Sequence, residues 1–228
     1  MNSKIVVVAN TAGGSAKTTL AHALAVASVE YGKKTLLIDC DPKASLTFRV
    51  GREGTRLTLA DFLSDTSIRS EDLDSHVERF DFIAADSRVG NGFTGKDMRA
   101  LIEKLPKSYD LVIIDTPSDI NASLKAALDV ADLVLVPYSN TLHHLRGVTQ
   151  TSKLSADTPI KLLAIGEHSK PIKEFSQWEQ LDGSCSTAKE IEAAAHTTTS
   201  VLTHAKNSIV AGQLRECAYS VLEELGLD

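Results

Sequence analysis

The sequence predicts an α/β fold, a mainly parallel central sheet flanked by helices in three layers. Short apolar runs alternate with helix-patterned stretches along most of the chain. The runs are apolar on consecutive residues, as expected of strands covered on both faces. The 228 residues contain no internal repeat, low-complexity tract or Pro-rich linker, so positions 1–228 read as a single domain.

The first strand is expected at Ile5–Ala9. A Gly-containing turn follows, then a helix with Leu20, Leu24, Ala27 and Tyr31 on one face and Gly32 as its stop. The second strand is Thr35–Ile38. Segment 49–78 is polar and less regular, with one short helical piece at Leu59–Leu63. Strands return at Phe80–Ala84 and Leu111–Ile114. A helix carrying Leu124, Ala127 and Leu128 leads to a strand at Leu133–Val136. Another helix begins near Thr141 and uses Leu142, Leu145, Val148 and Thr149, followed by a strand at Ile160–Ile165. Segment 166–198, with Lys170, Pro171, Trp178 and the small residues 182–187, has the least pattern. An insertion of this kind belongs at the sheet edge or over a ligand. A weaker seventh strand is expected around Thr199–Leu202. The last helix uses Val210, Leu214, Cys217, Val221 and Leu225, with Asn207 as N-cap.

Composition narrows the function classes. Hydrophobic residues make up 43% and charged residues 24%, ordinary for a soluble globular chain. The longest apolar runs fall far short of the roughly 20 residues that span a bilayer. The first residues show no signal-peptide pattern, so the expected location is cytoplasmic, without integral membrane association. Cys40, Cys185 and Cys217 are too scattered for a disulfide framework or a metal cluster. Net charge is −6, with neither residues 1–150 nor 151–228 net basic, so no nucleic-acid arm is advertised.

The most informative residues are Gly13, Gly14, Ser15, Ala16, Lys17, Thr18 and Thr19, which directly follow the first strand and open the first helix. Glycines let backbone N–H groups turn toward an anion, and the helix N-terminus adds partial positive charge. Lys17 can reach the terminal phosphates of a nucleotide, and the Thr18 hydroxyl can ligate Mg²⁺. The spacing GxxxxGK[ST] is not met, because Thr11 and Ala16 stand at its two glycine positions. Asp39, Asp41 and Asp115 each follow an apolar run, at carboxyl ends of strands, where open α/β sheets bind ligands. Any one alone would read as a turn or cap residue; together beside a phosphate loop they read as a site.

The loop resembles the deviant Walker A motif KGGxxK[ST] of the ParA/MinD family of ATPases, with Gly13, Gly14, Lys17 and Thr18 matching and Ala12 in place of the first lysine. Residues 34–47, with Asp39-Cys40-Asp41-Pro42, resemble that family's second strand and switch. Residues 109–117 resemble its Walker B strand and following loop, and Leu133–Pro137 with Leu145–Val148 a later segment. The resemblance covers about residues 1–150. It implies a P-loop NTPase fold, binding of ATP and Mg²⁺, and cycling between nucleotide states. By the same resemblance Lys17 and Asp41 are the catalytic residues, Asp41 orienting the attacking water. Thr18, Asp39 and Asp115 form the metal shell, Asp39 in support. Small plasmid partition and stability proteins, including the StbB type tied to conjugation, are the nearest subgroup. A DNA-bound adaptor protein, non-specific DNA and a nucleotide-dependent homodimer are its implied partners.

In that family the first lysine reaches the nucleotide of the partner subunit and supports hydrolysis, which Ala12 cannot do. Slow or partner-stimulated hydrolysis is therefore expected, with Arg88, Lys43, Arg146 or Lys170 as candidate replacement cations. Lys153, Lys161, Lys170, Lys173, Lys206 and Arg215 are the candidates for a DNA patch. The adjacent His143 and His144 point about 100° apart on a helix and are poor joint metal ligands. Cys40 reads as a small buried residue. The acidic end of the chain argues for core packing of the last helix over a membrane anchor. A scaffold that has lost hydrolysis, and a small-molecule ATP-dependent ligase such as dethiobiotin synthetase, remain as other classes.

Overall fold

A computed structural model describes residues 3–64, 73–90, 92–105, 108–166 and 172–228 of the chain. Strand β1 is Lys4–Val8, helix α1 Lys17–Glu30, β2 Thr35–Asp39, α2 Ser45–Arg49 and α3 Leu59–Ser64. Then come β3 (Asp74–Ser75), β4 (Asp81–Ile83), α4 (Gly95–Lys104), β5 (Leu111–Asp115), α5 (Ala122–Leu128) and β6 (Leu133–Tyr138). The chain continues through α6 (Leu142–Leu154), β7 (Ile160–Ala164), α7 (Lys189–Ala194), α8 (Val201–His204) and α9 (Ile209–Glu224), with short 3₁₀ turns at Ser87–Gly90 and Lys173–Gln177.

The sheet order is β3-β4-β2-β5-β1-β6-β7. All pairs are parallel except β3–β4, an antiparallel edge. The expected mainly parallel sheet is therefore what forms. Alternation along each strand splits the core in two. Val6, Val8, Leu37, Ile113, Leu135 and Leu163 pack under α1, α8 and α9. Ile5, Val7, Ile38, Ile114, Val136 and Leu162 pack under α3 to α6. Both faces being covered is why the strands read as unbroken apolar runs. Among the described residues no helix is long and apolar enough to cross a membrane.

Several expectations are corrected. Residues 199–202 form no strand: Ser200 caps α8, its Oγ accepting from the Leu202 amide, and its own amide donates to Glu78 at 2.9 Å. The Glu78 carboxylate also meets His22 of α1 at 2.6 Å and Thr203, so buried polar bonds win over β-branched propensity here. The N-cap of α9 is Ser208, one residue after Asn207, its Oγ accepting from the Ala211 amide. Tyr31 lies just past the end of α1, and Gly32 follows at φ +81°. Helix α4 was not anticipated, although Thr94 and Asp97 form a capping box ahead of Met98, Leu101 and Ile102. Within 166–198, residues around 180–185 run along the outer edge of β7, bridging Leu162 to Gln180 and Ile165 to Cys185, while α7 packs against α8 and residues 195–198 reach the cavity beside Thr18. Lys170 and Pro171 fall outside the described residues. Helix α9 buries Val210, Leu214, Cys217, Val221 and Leu222 beneath α1 and serves as core.

Candidate functional site

The carboxyl ends of β1, β2 and β5 converge. Asp39 and Asp115 are register partners on adjacent strands, and Val8 pairs with Asp115 on the other side. The chain leaves β1 through residues 9–16 and enters α1 at Lys17, directly above these carboxylates.

The second half of that loop is shaped for an anion. A Cβ on Gly13 or Gly14 would meet nothing within 4 Å, and Gly14 turns at φ +74°. Ala16 takes a left-handed conformation at φ 67° and gives α1 no side-chain cap. The first-turn N–H groups therefore point out of the helix without a capping side chain. The Ser15 hydroxyl is buried with no hydrogen-bond partner. Lys17 is 7% exposed and donates to Ser118 Oγ at 2.8 Å. Burial pulls its pKa down, while the charges of Asp115 and Asp41 push it back up.

Thr18 donates to Asp115 Oδ2 at 2.8 Å. Asp115 Oδ1 is buried and unpartnered. Burial first, and the neighbouring Asp39 second, push the Asp115 carboxyl upward. A hydroxyl and a carboxylate with a bare buried oxygen are the hard oxygen donors that Mg²⁺ takes, so the residues present fit that ion. Asp39 is fully buried and differs. Its Oδ2 accepts from the Thr47 amide and hydroxyl, each at 2.8 Å, and its Oδ1 from the Asp41 amide at 3.0 Å. With its oxygens so occupied, Asp39 holds the segment from Asp41 to Thr47 in place beside Asp115. Asp41 is half-buried and accepts from the Lys43 amide.

The first half of the loop is fastened down. Asn10 donates to the Pro137 carbonyl and accepts from the Ala12 amide, both at 2.8 Å. Thr11 bonds Gly147, Gln150 and Thr151 of α6. Ala12 is 1% exposed against Gly147, where an added Cβ would lie 2.7 Å from the Ala12 Cβ. His144 accepts the Ser139 amide at Nδ1 and bonds the Gly13 backbone. Position 12 is thus packed against α6.

Of the candidate replacement cations, Lys43 pairs with Asp119 at 3.0 Å, and Arg88 is held by Asp61 and Asp86. Arg146 is exposed and makes no ion pair among the described residues. Lys170 lies outside them. Of the described candidates for a DNA patch, two are paired with carboxylates and three are exposed. Lys161 is clamped by Glu179 and Glu224 and Arg215 by Glu30, while Lys153, Lys173 and Lys206 are exposed. Sequence reasoning missed Asn10, Ser118 and Arg49, and it weighed His144 only as a metal ligand, whereas that ring is buried against Ser139. Asn10 alone left a signal, a polar residue straight after an apolar strand.

A family profile described as AAA domain (AAA_31) matches residues 3–158, more than half the chain. The chain belongs to that family, within its ParA/MinD group. It is 30% identical over 160 residues to the chromosome partitioning protein ParA of Caulobacter vibrioides, covering 64% of this chain and 60% of that protein. It therefore spans about three-fifths of the length of such curated relatives. Among solved structures, cobyrinic acid a,c-diamide synthase of Mycobacterium smegmatis with ADP and magnesium is 25% identical, with TM-score 0.77 over 98% of this chain and 96% of that one. The septum site-determining protein MinD of Pyrococcus horikoshii with Mg-ADP shares the fold at TM-score 0.83 and 19% identity, over 100% of this chain and 98% of that one.

Proposed function

We propose that this ParA/MinD-group protein is a one-domain, cytoplasmic Mg-ATP-dependent switch that positions DNA or a DNA-bound complex, in the manner of small plasmid partition and stability proteins. The observation that carries the reading is that two oxygens of the loop and strand end, Ser15 Oγ and Asp115 Oδ1, are buried without partners, with Lys17 two residues from Ser15 and Thr18 bonded to Asp115. Buried polar atoms in folded proteins are normally satisfied, so these two fit a phosphate and a metal. In the proposed site, residues 13–19 cradle the phosphates. Lys17, now bonded to Ser118, would hold a phosphate oxygen, and Thr18 and Asp115 would hold Mg²⁺, with Asp39 fixing the switch segment behind them. The bound ion would neutralise charge developing on the phosphoryl oxygens. Asp41 orients the attacking water. With Ala12 packed against α6, hydrolysis by one subunit is slow and rises with a DNA-bound adaptor, non-specific DNA or a nucleotide-dependent homodimer.

The test is steady-state ATP hydrolysis of wild type and Lys17→Ala, with and without DNA. Slow turnover that DNA or an adaptor raises, and that Lys17→Ala abolishes, is the expected result. Lys17→Ala should also weaken Mg-ATP binding by about a hundredfold or more. Bound nucleotide without turnover in wild type would make the chain a binding scaffold.

A second reading, a small-molecule ATP-dependent ligase, is favoured by the likeness to cobyrinic acid a,c-diamide synthase and by a cavity of about 660 Å³ with Thr18 in its wall. ATP turnover that requires a small carboxylic acid and ignores DNA would select it.

A further inference from the structure

With Ala12 buried and Lys43 and Arg88 both paired to carboxylates, a different cation reaches the phosphate loop. Arg49, the last residue of α2, donates from Nη1 to Thr19 Oγ1 at 2.8 Å. The Arg49 side chain is half-buried. Burial lowers its pKa, and the one charge that opposes this is Asp115. Among the described residues no carboxylate pairs with it, and Thr19 takes only one of its five N–H donors. A half-buried guanidinium with free donors beside the phosphate loop is placed to meet an anion there.

The surroundings say where that anion would sit. Arg49 and Thr18 share the wall of the cavity of about 660 Å³, which Glu53 and residues 195–198 also line. A phosphate held at the N-terminus of α1 by Thr18 and Thr19 would therefore also face the guanidinium. Helix α2 is itself tied to the metal side of the site, because Thr47 donates twice to Asp39. Phe48, beside Arg49, is 66% exposed on the same wall.

We propose that Arg49 is the second cation of the nucleotide site, binding the phosphate chain from within the same subunit and so coupling the position of α2 to nucleotide occupancy. The proposal rests on the nucleotide reading above. Because Arg49 reaches the loop at Thr19, it grips ADP and ATP alike, and the gain is in affinity for both.

The test is calorimetric titration of wild type, Arg49→Gln and Arg49→Lys with Mg-ADP and with Mg-ATP, beside thermal melts without nucleotide. Arg49→Gln should weaken both nucleotides by about tenfold or more, the size of a lost charge-assisted hydrogen bond. Arg49→Lys should recover part of the loss, and the ligand-free Tm of Arg49→Gln should hold, since the half-buried Arg49 has one hydrogen bond, to Thr19, at stake and no ion pair among the described residues. Binding of Mg-ADP by Arg49→Gln within twofold of wild type would overturn the proposal. So would a loss of affinity that merely follows a fall in ligand-free Tm. Failure of wild type itself to bind either nucleotide would instead refute the nucleotide reading on which the proposal stands.

Discussion

Residues 10–12 and residues 13–19 are neighbours in one loop, yet their polar groups meet different fates. In the first stretch Asn10 and Thr11 place their side chains on Pro137 and on α6, and Ala12 packs against Gly147. In the second, the Ser15 hydroxyl is buried without a partner, α1 has no side-chain cap, and Ala16 sits in a left-handed conformation. The satisfied half behaves as scaffold. The unsatisfied half stores the desolvation cost that a bound anion would relieve. The difference also bears on the absent lysine. Position 12 belongs to the scaffold half, so a long cationic side chain there would have to break the contact with α6 before it could reach outward.

The contrast can be broken most severely at Gly147. A Cβ there would lie 2.2 Å from Asn10 Oδ1 and 2.7 Å from the Ala12 amide nitrogen. Gly147→Ala should cost about 3 kcal/mol or more and lower Tm by roughly 6–12 °C, read by thermal melts of the ligand-free protein. An unchanged Tm would mean that the loop and α6 separate freely.

A smaller effect is expected from the ligand half at Asp115. Burial raises its carboxyl from 3.8 to about 8, and that of Asp39 to about 6. The folded chain thus keeps protons that the unfolded chain has released above pH 3.8. Ligand-free stability should therefore fall as pH rises from 3.8 toward about 8. Asp115→Asn should flatten that slope and stabilise the ligand-free protein at pH 8 by about 1–2 kcal/mol, while weakening Mg²⁺-dependent nucleotide binding. Melts from pH 5 to 8 in wild type and variant check this, and an unaltered slope would count against it. The smallest change is at Ala16, where φ 67° suits glycine better. Ala16→Gly should raise stability by up to about 1 kcal/mol without loss of nucleotide affinity.

Much of this was legible in the sequence for a simple reason. Strands buried on both faces must be apolar throughout, so Ile5–Val8, Leu36–Ile38, Leu111–Ile114 and Leu133–Val136 announce themselves, and with them the carboxyl ends that carry Asp39 and Asp115. Lys17 and Thr18 were legible because a phosphate loop needs its residues consecutive in the chain. The turn into α8 was not, because the Ser200 amide is held by Glu78, 122 residues away.

The sequence by itself determined the parallel α/β class, the location of the phosphate loop and the acidic strand ends, since local periodicity and contiguous motifs record them. Tertiary structure alone decided that Asp39 braces Thr47, that Ala12 is sealed beneath α6 and that Arg49 reaches Thr19. Each of these joins segments from 8 to 135 positions apart, and burial, which determines whether a charge is paired or left waiting for a ligand, is a property of the packed chain.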